Sequence, residues 1–333
     1  LTWEQRRLFK SHRFSLPTWA RWAIRILVVA AYFWVLEYFW GWEQLLKPWQ
    51  TISYVTMIAA IALLASTYFI RALRIYDYFR KEIKREYLLT LKLTLLHNVL
   101  NNLLPARSGE VSFPLLMKRY FQVSFTRATA SLFWLRFMDL HTVLFLGAMA
   151  LYFATIQASW WLYAVALWMV IPLVAYLAHT KIAEFVPRIK SPKWQNFATK
   201  FVSGLPNSLL ELFRAWMWTL INWSIKITAM AWILKQFSPM SNGQAWVGSI
   251  AGDLSSVLPF HAPAGLGSYE AAVLGGLAAL GISADTAMQA AVNLHIMILV
   301  SSLIGGGLAL LMKQGGTIKL YQDPEKTGPI DTD

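Results

Sequence analysis

The sequence predicts an all-α polytopic integral membrane protein: about six spanning helices, plus two re-entrant helical hairpins arranged as an inverted repeat. Three observations predict it. The 333 residues are 57% hydrophobic and only 14% charged, with mean hydropathy +0.45. Soluble domains carry roughly 25% charged residues. Residues 52–70 and 160–178 hold no charge, and 286–312 holds only His295 as a potential one; each approaches or exceeds the ~20 apolar residues that cross a bilayer. Finally, one pattern occurs twice. Asn101-Asn102-Leu103-Leu104-Pro105 leads through Ser108-Gly109 to Glu110, and Ser255-Ser256-Val257-Leu258-Pro259 leads through Gly265-Leu266-Gly267 to Glu270.

Taken in order, spans are expected at 23–46, 51–70, 127–153, 160–178, 209–234 and 286–312. Two further apolar regions, 88–121 and 244–282, are interrupted midway by Pro and Gly. Each reads as a pair of short helices that enters and leaves by one face. Such irregular backbone is tolerated at membrane depth only where protein or a wet cavity covers it. The organisation is then a basic cytoplasmic segment 1–25, one membrane domain 26–312, and a cytoplasmic tail 313–333. The first half spans about 88–153 and the second about 244–312.

Charge sets the expected orientation. Of the thirty Lys and Arg residues, twenty-four fall in 1–25, 71–86, 105–127, 179–204 and 313–333. The positive-inside rule places these segments, and both termini, in the cytoplasm. The expected setting is the cytoplasmic (inner) membrane of a prokaryote. The segment 71–86 reads as a basic amphipathic stretch on the inner leaflet, or as an ordinary topogenic loop. The first broken region then enters from the cytoplasm and the second from the opposite side, as in transporters built from inverted repeats. The repeat continues downstream. Setting Val123-Ser124 against Ile282-Ser283 places Arg136 opposite His295.

Several chemistries are excluded or unsupported. Cysteine is absent, so thiolate nucleophiles and Cys metal sites are excluded. No His-Glu-x-x-His, Walker or Gly-x-Ser-x-Gly pattern occurs. No catalytic residue, metal or cofactor is expected. The net charge of +13 reflects topology rather than nucleic-acid binding. No cleavable signal peptide is evident.

The candidate substrate-binding residues are those whose charge is costly at membrane depth. Arg136 and Asp139 lie three apart on one helix face, either as a self-neutralising pair or as a headgroup site, because guanidinium binds two phosphate oxygens at once. Glu110 and Glu270 each close a motif. They either cap a return helix or pair with an intramembrane cation such as Arg136, His295 or Lys226. Lys226 either snorkels toward an interface or pairs with one of those glutamates, and Asp253, just before the second motif, is a partner or a cap. Arg107 is a candidate phosphate contact at the cytoplasmic mouth. His261 occupies the comparable turn of the second copy, as a hydrogen-bonding or titrating group. Pro105, Gly109, Pro259, Gly265 and Gly267 are expected to build the turns. Asn101 and Asn102 are expected to satisfy backbone groups freed at the break.

The motif at 101–110, Val123-Ser124 with Arg127-Ala128, Leu135-Arg136-Phe137-Met138-Asp139, and Leu258-Pro259 through Glu270 together resemble the lysylphosphatidylglycerol synthase transmembrane-region family, over about 50–312. The resemblance implies a flippase-like membrane domain without the soluble aminoacyltransferase of full-length members. Family glutamate, arginine and aspartate positions map onto Glu110, Arg136, Asp139 and Glu270. His295 departs from the pattern, since relatives often have arginine there. The expected function is a lipid translocase acting on a phospholipid or a polyprenyl-linked lipid. The alternatives are a membrane enzyme or subunit that modifies lipid headgroups or lipid-linked glycans, and a scaffold for a lipid-modifying partner.

Overall fold

The computed structural model describes residues 18–255 and 263–312; the side chains of residues 18, 20–22, 24, 25, 105–107 and 156 fall outside the description. The described residues form helices and connecting turns, with no strand. An apolar sequence requires this, because a helix satisfies its own backbone groups where water is missing.

The N-terminal helix is shorter than expected. α1 (Thr18–Phe39) stops where Gly41 takes φ +71°, and α2 (Trp42–Leu46) turns away. The predicted single span 23–46 is therefore two helices. Leu36 and Leu45 then pack on Met288 and Val292.

α3 (Tyr54–Tyr78) runs eight residues beyond its predicted end. The expectation that 71–86 lies on the inner leaflet is corrected here. Arg74 is buried inside the fold, where it binds Asp139. The basic loop is reduced to Arg80, Lys81, Lys84 and Arg85, starting at the short helix α4 (Arg80–Ile83).

The first broken region is α5 (Tyr87–Leu103), a tight turn at Pro105–Val111 and α6 (Ser112–Phe121). The second is α12 (Asn242–Ser255), a turn at Pro263–Gly265 and α13 (Ser268–Ala278). With 17, 10, 14 and 11 residues, these arms are each shorter than the ~20 residues that cross a bilayer.

The other predicted spans are helical, with shifted limits. α7 (Phe125–Leu151) ends in a π turn at Tyr152–Ile156. The predicted span 160–178 is α8 (Ser159–Trp168) and α9 (Ile171–Phe185), broken just ahead of Pro172, which supplies no backbone N–H. The amphipathic α10 (Pro192–Val202) precedes α11 (Leu209–Phe237), and α14 (Ala284–Leu311) is last. Four segments are long and apolar enough to cross a membrane: Tyr54–Tyr78, Phe125–Thr155, Ser159–Arg188 and Ala284–Leu311. α11, with 29 residues, is longer than two of these segments but carries Glu211, Arg214, Lys226 and Lys235. In α1 the apolar part is Ile26–Phe39.

The same serine device starts α3, α7, α11 and α14. Ser53, Ser124, Ser208 and Ser283 each accept a bond from the backbone N–H three residues on, which satisfies a donor otherwise orphaned at a helix start. Before α7 the chain passes through Gln122 at φ +56°, and before α14 through Gly281 at φ +81°. Both left-handed residues stand two positions before the capping serine. This supports the register in which Val123 matches Ile282 and Arg136 matches His295.

Packing follows the same correspondence. α3 meets α5 as α11 meets α12. α5 meets α14 as α12 meets α7, and α6 meets α7 as α13 meets α14. α3 and α11 meet each other, as do the turns of the two broken pairs. Exchanging α3, α5, α6 and α7 for α11, α12, α13 and α14 therefore reproduces most of the network. The α11–α14 contact is more extensive than its counterpart between α3 and α7. Glycine lets the second pair close tightly: a Cβ on Gly252 would lie 2.8 Å from the Tyr269 ring and from Val273, and one on Gly276 would lie 2.8 Å from the Ala251 methyl. One core joins Leu64 of α3, Leu234 of α11, Val273 of α13 and Leu294 of α14.

Candidate functional site

The two turns meet beside a cavity whose walls come from α3, α5, α7, α11, α12 and α14. α3 supplies Thr67, Tyr68 and Arg71, α5 supplies Asn98, Asn101 and Asn102, and α7 supplies Arg136. α11 supplies Trp223 and Lys226, α12 supplies Asp253, and α14 supplies His295 and Ile298. Ala264, Gly265 and Tyr269 complete it. The residues are separated by up to about 230 positions in sequence, so only folding brings them together.

Arg136 is held by two carboxylates. Its Nη2 lies 2.7 Å from Glu110 Oε1, its Nε donates to Glu110 Oε2 at 3.2 Å, and its Nη1 donates to Asp139 Oδ2 at 3.1 Å. Asp139 does more than neutralise its neighbour. Its other oxygen accepts from Arg74 and, at 2.7 Å, from the indole N–H of Trp223. Arg74 also donates to the Leu135 carbonyl at 3.1 Å. Asp139 thus ties α3, α7 and α11 together. Glu110 sits in the turn before α6 rather than capping that helix, whose start has no side-chain cap. Both arginine and glutamate give the bidentate geometry expected of guanidinium with carboxylate.

His295 and Glu270 form the corresponding pair in the second half. The ring Nδ1 is 2.7 Å from Glu270 Oε1, and Nε2 is 2.9 Å from the Ala264 carbonyl oxygen. Tyr32 of α1 donates to Glu270 Oε1 at 2.8 Å, and the Gly267 N–H donates to Oε2 at 2.8 Å. Glu270 therefore caps α13 and pairs with His295 at once. The Tyr269 ring lies against the imidazole, with centroids 4.5 Å apart. Ala264, Gly265 and Gly267 have φ of +56°, +76° and +83°, and this left-handed path aims the Ala264 carbonyl at the ring. Glycine adopts it without steric cost; the non-glycine residue in it is strained.

Lys226 does not snorkel. Its ammonium lies 2.7 Å from Asp253 Oδ2 and 4.7 Å from the centre of the Trp223 ring. Asn102 donates to Ser302 Oγ at 3.1 Å, so it bridges to α14 rather than serving freed backbone. Asn101 lines the cavity with a buried Oδ1 that accepts no hydrogen bond among the described residues. Gly109 fits where nothing larger does: a Cβ there would lie 2.4 Å from the Leu100 carbonyl and 2.5 Å from Asn101 Cα. Pro105 opens the first turn, while the Arg107 side chain, Pro259 and His261 lie outside the described residues. No cluster of metal-ligating side chains occurs among the described residues.

Sequence reasoning missed Arg71, Arg74, Asn98, Trp223 and Tyr32. The signal for the arginines was their three-residue spacing, which continues the helical face of an apolar span. Their count among the basic loop residues obscured it. Nothing local marks Tyr32, whose hydroxyl reaches Glu270 from 238 positions away.

Residues 22–306 match the family model described as "Lysylphosphatidylglycerol synthase TM region". No curated protein and no solved structure matches the chain.

Proposed function

Because the chain belongs to the lysylphosphatidylglycerol synthase TM-region family, we propose that it is a lipid translocase whose polar headgroup path is the cavity between the two halves. The carrying observation is the pairing of Arg136 with Glu110 in one half and His295 with Glu270 in the other, with Arg136 and His295 on the walls of one cavity. Charged pairs inside an apolar fold are expensive, and such residues mark pathways when they border a cavity.

The two halves enter the membrane from opposite faces in this reading, and the broken pairs are re-entrant. The short arms, the shared capping pattern and the exchangeable packing support that arrangement. The headgroup passes between the halves while its acyl chains stay in the bilayer. Glu110 and Glu270 hold the cations while the path is empty and release them to a headgroup. Both termini face the cytoplasm in this arrangement, as the charge bias favours.

The test is reconstitution into vesicles containing fluorescent phospholipid, with dithionite bleaching of the outer leaflet. Wild-type protein is expected to expose the inner-leaflet pool. Arg136→Ala and Glu110→Ala are expected to slow exposure by about tenfold or more, the loss of one charge-assisted contact. Equal rates in empty vesicles and wild-type vesicles would overturn the function. Unchanged rates in both variants would overturn the pathway.

A further inference from the structure

Arg71 stands apart from every other cation of this site. Its Nη1 donates to Asn98 Oδ1 at 2.8 Å, and no carboxylate lies within ion-pair distance of it among the described residues. The other cations have acids: Arg74 has Asp139, Arg136 has Glu110 and Asp139, and Lys226 has Asp253. Of the Lys and Arg side chains on the cavity wall (Arg71, Arg136 and Lys226), Arg71 alone has no carboxylate partner among the described residues. The His295–Glu270 pair closes on itself. In sequence, residues 105–107 and 256–262 contain no Asp or Glu.

An unmatched guanidinium is costly in an apolar fold unless something supplies its counter-charge. Arg71 faces the cavity from α3, with Asn98 fixing one end of its fork and leaving other N–H donors. Asn101 adds an unused acceptor on the same wall. Lys226 lies on it as well. Arg71 therefore lacks a counter-charge, and its planar fork of donors suits a singly charged group with two acceptor oxygens, with a hydroxyl or amine nearby for Asn101.

We propose that Arg71 is the anion-binding residue of this cavity, and that its ligand is the singly charged phosphodiester of a lipid headgroup. A phosphodiester carries one negative charge and presents two equivalent oxygens, which matches both the deficit and the guanidinium fork. A carboxylate would also match the charge, but a lipid translocation path meets phosphodiesters in every phospholipid. This deepens the proposed function and rests on the ligand being a lipid.

The test is equilibrium binding to the purified, delipidated full chain by microscale thermophoresis. Three probes are used: dihexanoyl phosphatidylglycerol, dihexanoylglycerol and inorganic phosphate. Only the phosphodiester lipid is expected to bind tightly. Arg71→Gln is expected to weaken it by about tenfold or more, and Arg71→Lys by less, since lysine keeps the charge but loses the fork. Thermal unfolding separates binding from folding. Without lipid, Arg71→Gln is expected to melt no lower than wild type, because it removes an unmatched charge. Added phosphodiester lipid should raise the midpoint of wild type more than that of the variant.

Equal affinity for dihexanoylglycerol would overturn the phosphate assignment. Binding of inorganic phosphate as tight as that of the lipid would overturn the lipid assignment in favour of a soluble anion. A lower melting point of Arg71→Gln, with lipid affinity unchanged, would make Arg71 a structural residue and overturn the proposal. Arg71-dependent binding without any leaflet exchange would instead leave the site standing and remove only the translocase.

Discussion

His295 presents Nδ1 to Glu270 at 2.7 Å while its Nε2 faces the Ala264 carbonyl at 2.9 Å. A carbonyl only accepts, so Nε2 is the ring's donor toward Ala264, and the other nitrogen meets the Glu270 carboxyl group. An imidazole thereby stands at the position that matches the guanidinium of Arg136.

His295→Gln is expected to lower the thermal midpoint and the stability by about 2 kcal/mol, the scale of a lost hydrogen bond to a charged group. His295→Arg keeps N–H donors toward Glu270 and should cost less. An equal fall in both variants would show that packing of the ring against Tyr269, rather than its bond to Glu270, carries the effect.

Asp139 is the acid most central to the architecture. It is buried, and it takes bonds from Arg74, Arg136 and Trp223. Asp139→Asn leaves Arg74, itself buried, without its carboxylate. The expected cost is about 3–5 kcal/mol, as for other buried pairs that lose one partner. Chemical unfolding of the purified protein measures it. The double variant Asp139→Asn with Arg74→Met should recover part of that loss, because it removes the stranded charge. No recovery in the double variant would mean that Arg136 or Trp223 carries most of the effect.

Gly109 tests the first turn without touching any charge. Alanine there places a methyl group against the backbone of Leu100 and Asn101, and backbone has no rotamer by which to retreat. The expected destabilisation is about 1–3 kcal/mol, read as a fall in melting temperature. Leaflet exchange should fall as well, since Glu110 is the next residue and would be shifted relative to Arg136. Gly275 is the control: a methyl there meets nothing within 4 Å, so Gly275→Ala should leave both readouts unchanged.

The repeated motif was legible because each copy breaks an apolar run with proline and glycine, and a capping serine follows each, Ser124 after Glu110 and Ser283 after Glu270. The pairing of Glu110 with Arg136 was legible only as one of several options. The sequence names which acids and cations are buried in apolar segments, but not which of them meet. Arg71 and Arg74 were read as loop residues because a charge count takes no account of what the charge binds. Once Asp139 and Asn98 face α3, those arginines remain helical, Arg74 buried and Arg71 half-buried. The expected end at residue 70 failed for that reason.

By itself the sequence determined the solvent and the backbone. Its apolar content calls for a membrane, and a membrane admits helices whose polar groups are internally satisfied. It also determined the two breaks, because proline and glycine act locally. The tertiary structure alone decided the pairing: Asp139 with Arg74 and Trp223, Lys226 with Asp253, Tyr32 with Glu270. It also decided that Arg71 has no acid partner among the described residues. Those outcomes depend on which helix faces which, and in so apolar a chain that is settled by side-chain packing across the fold rather than by any local pattern.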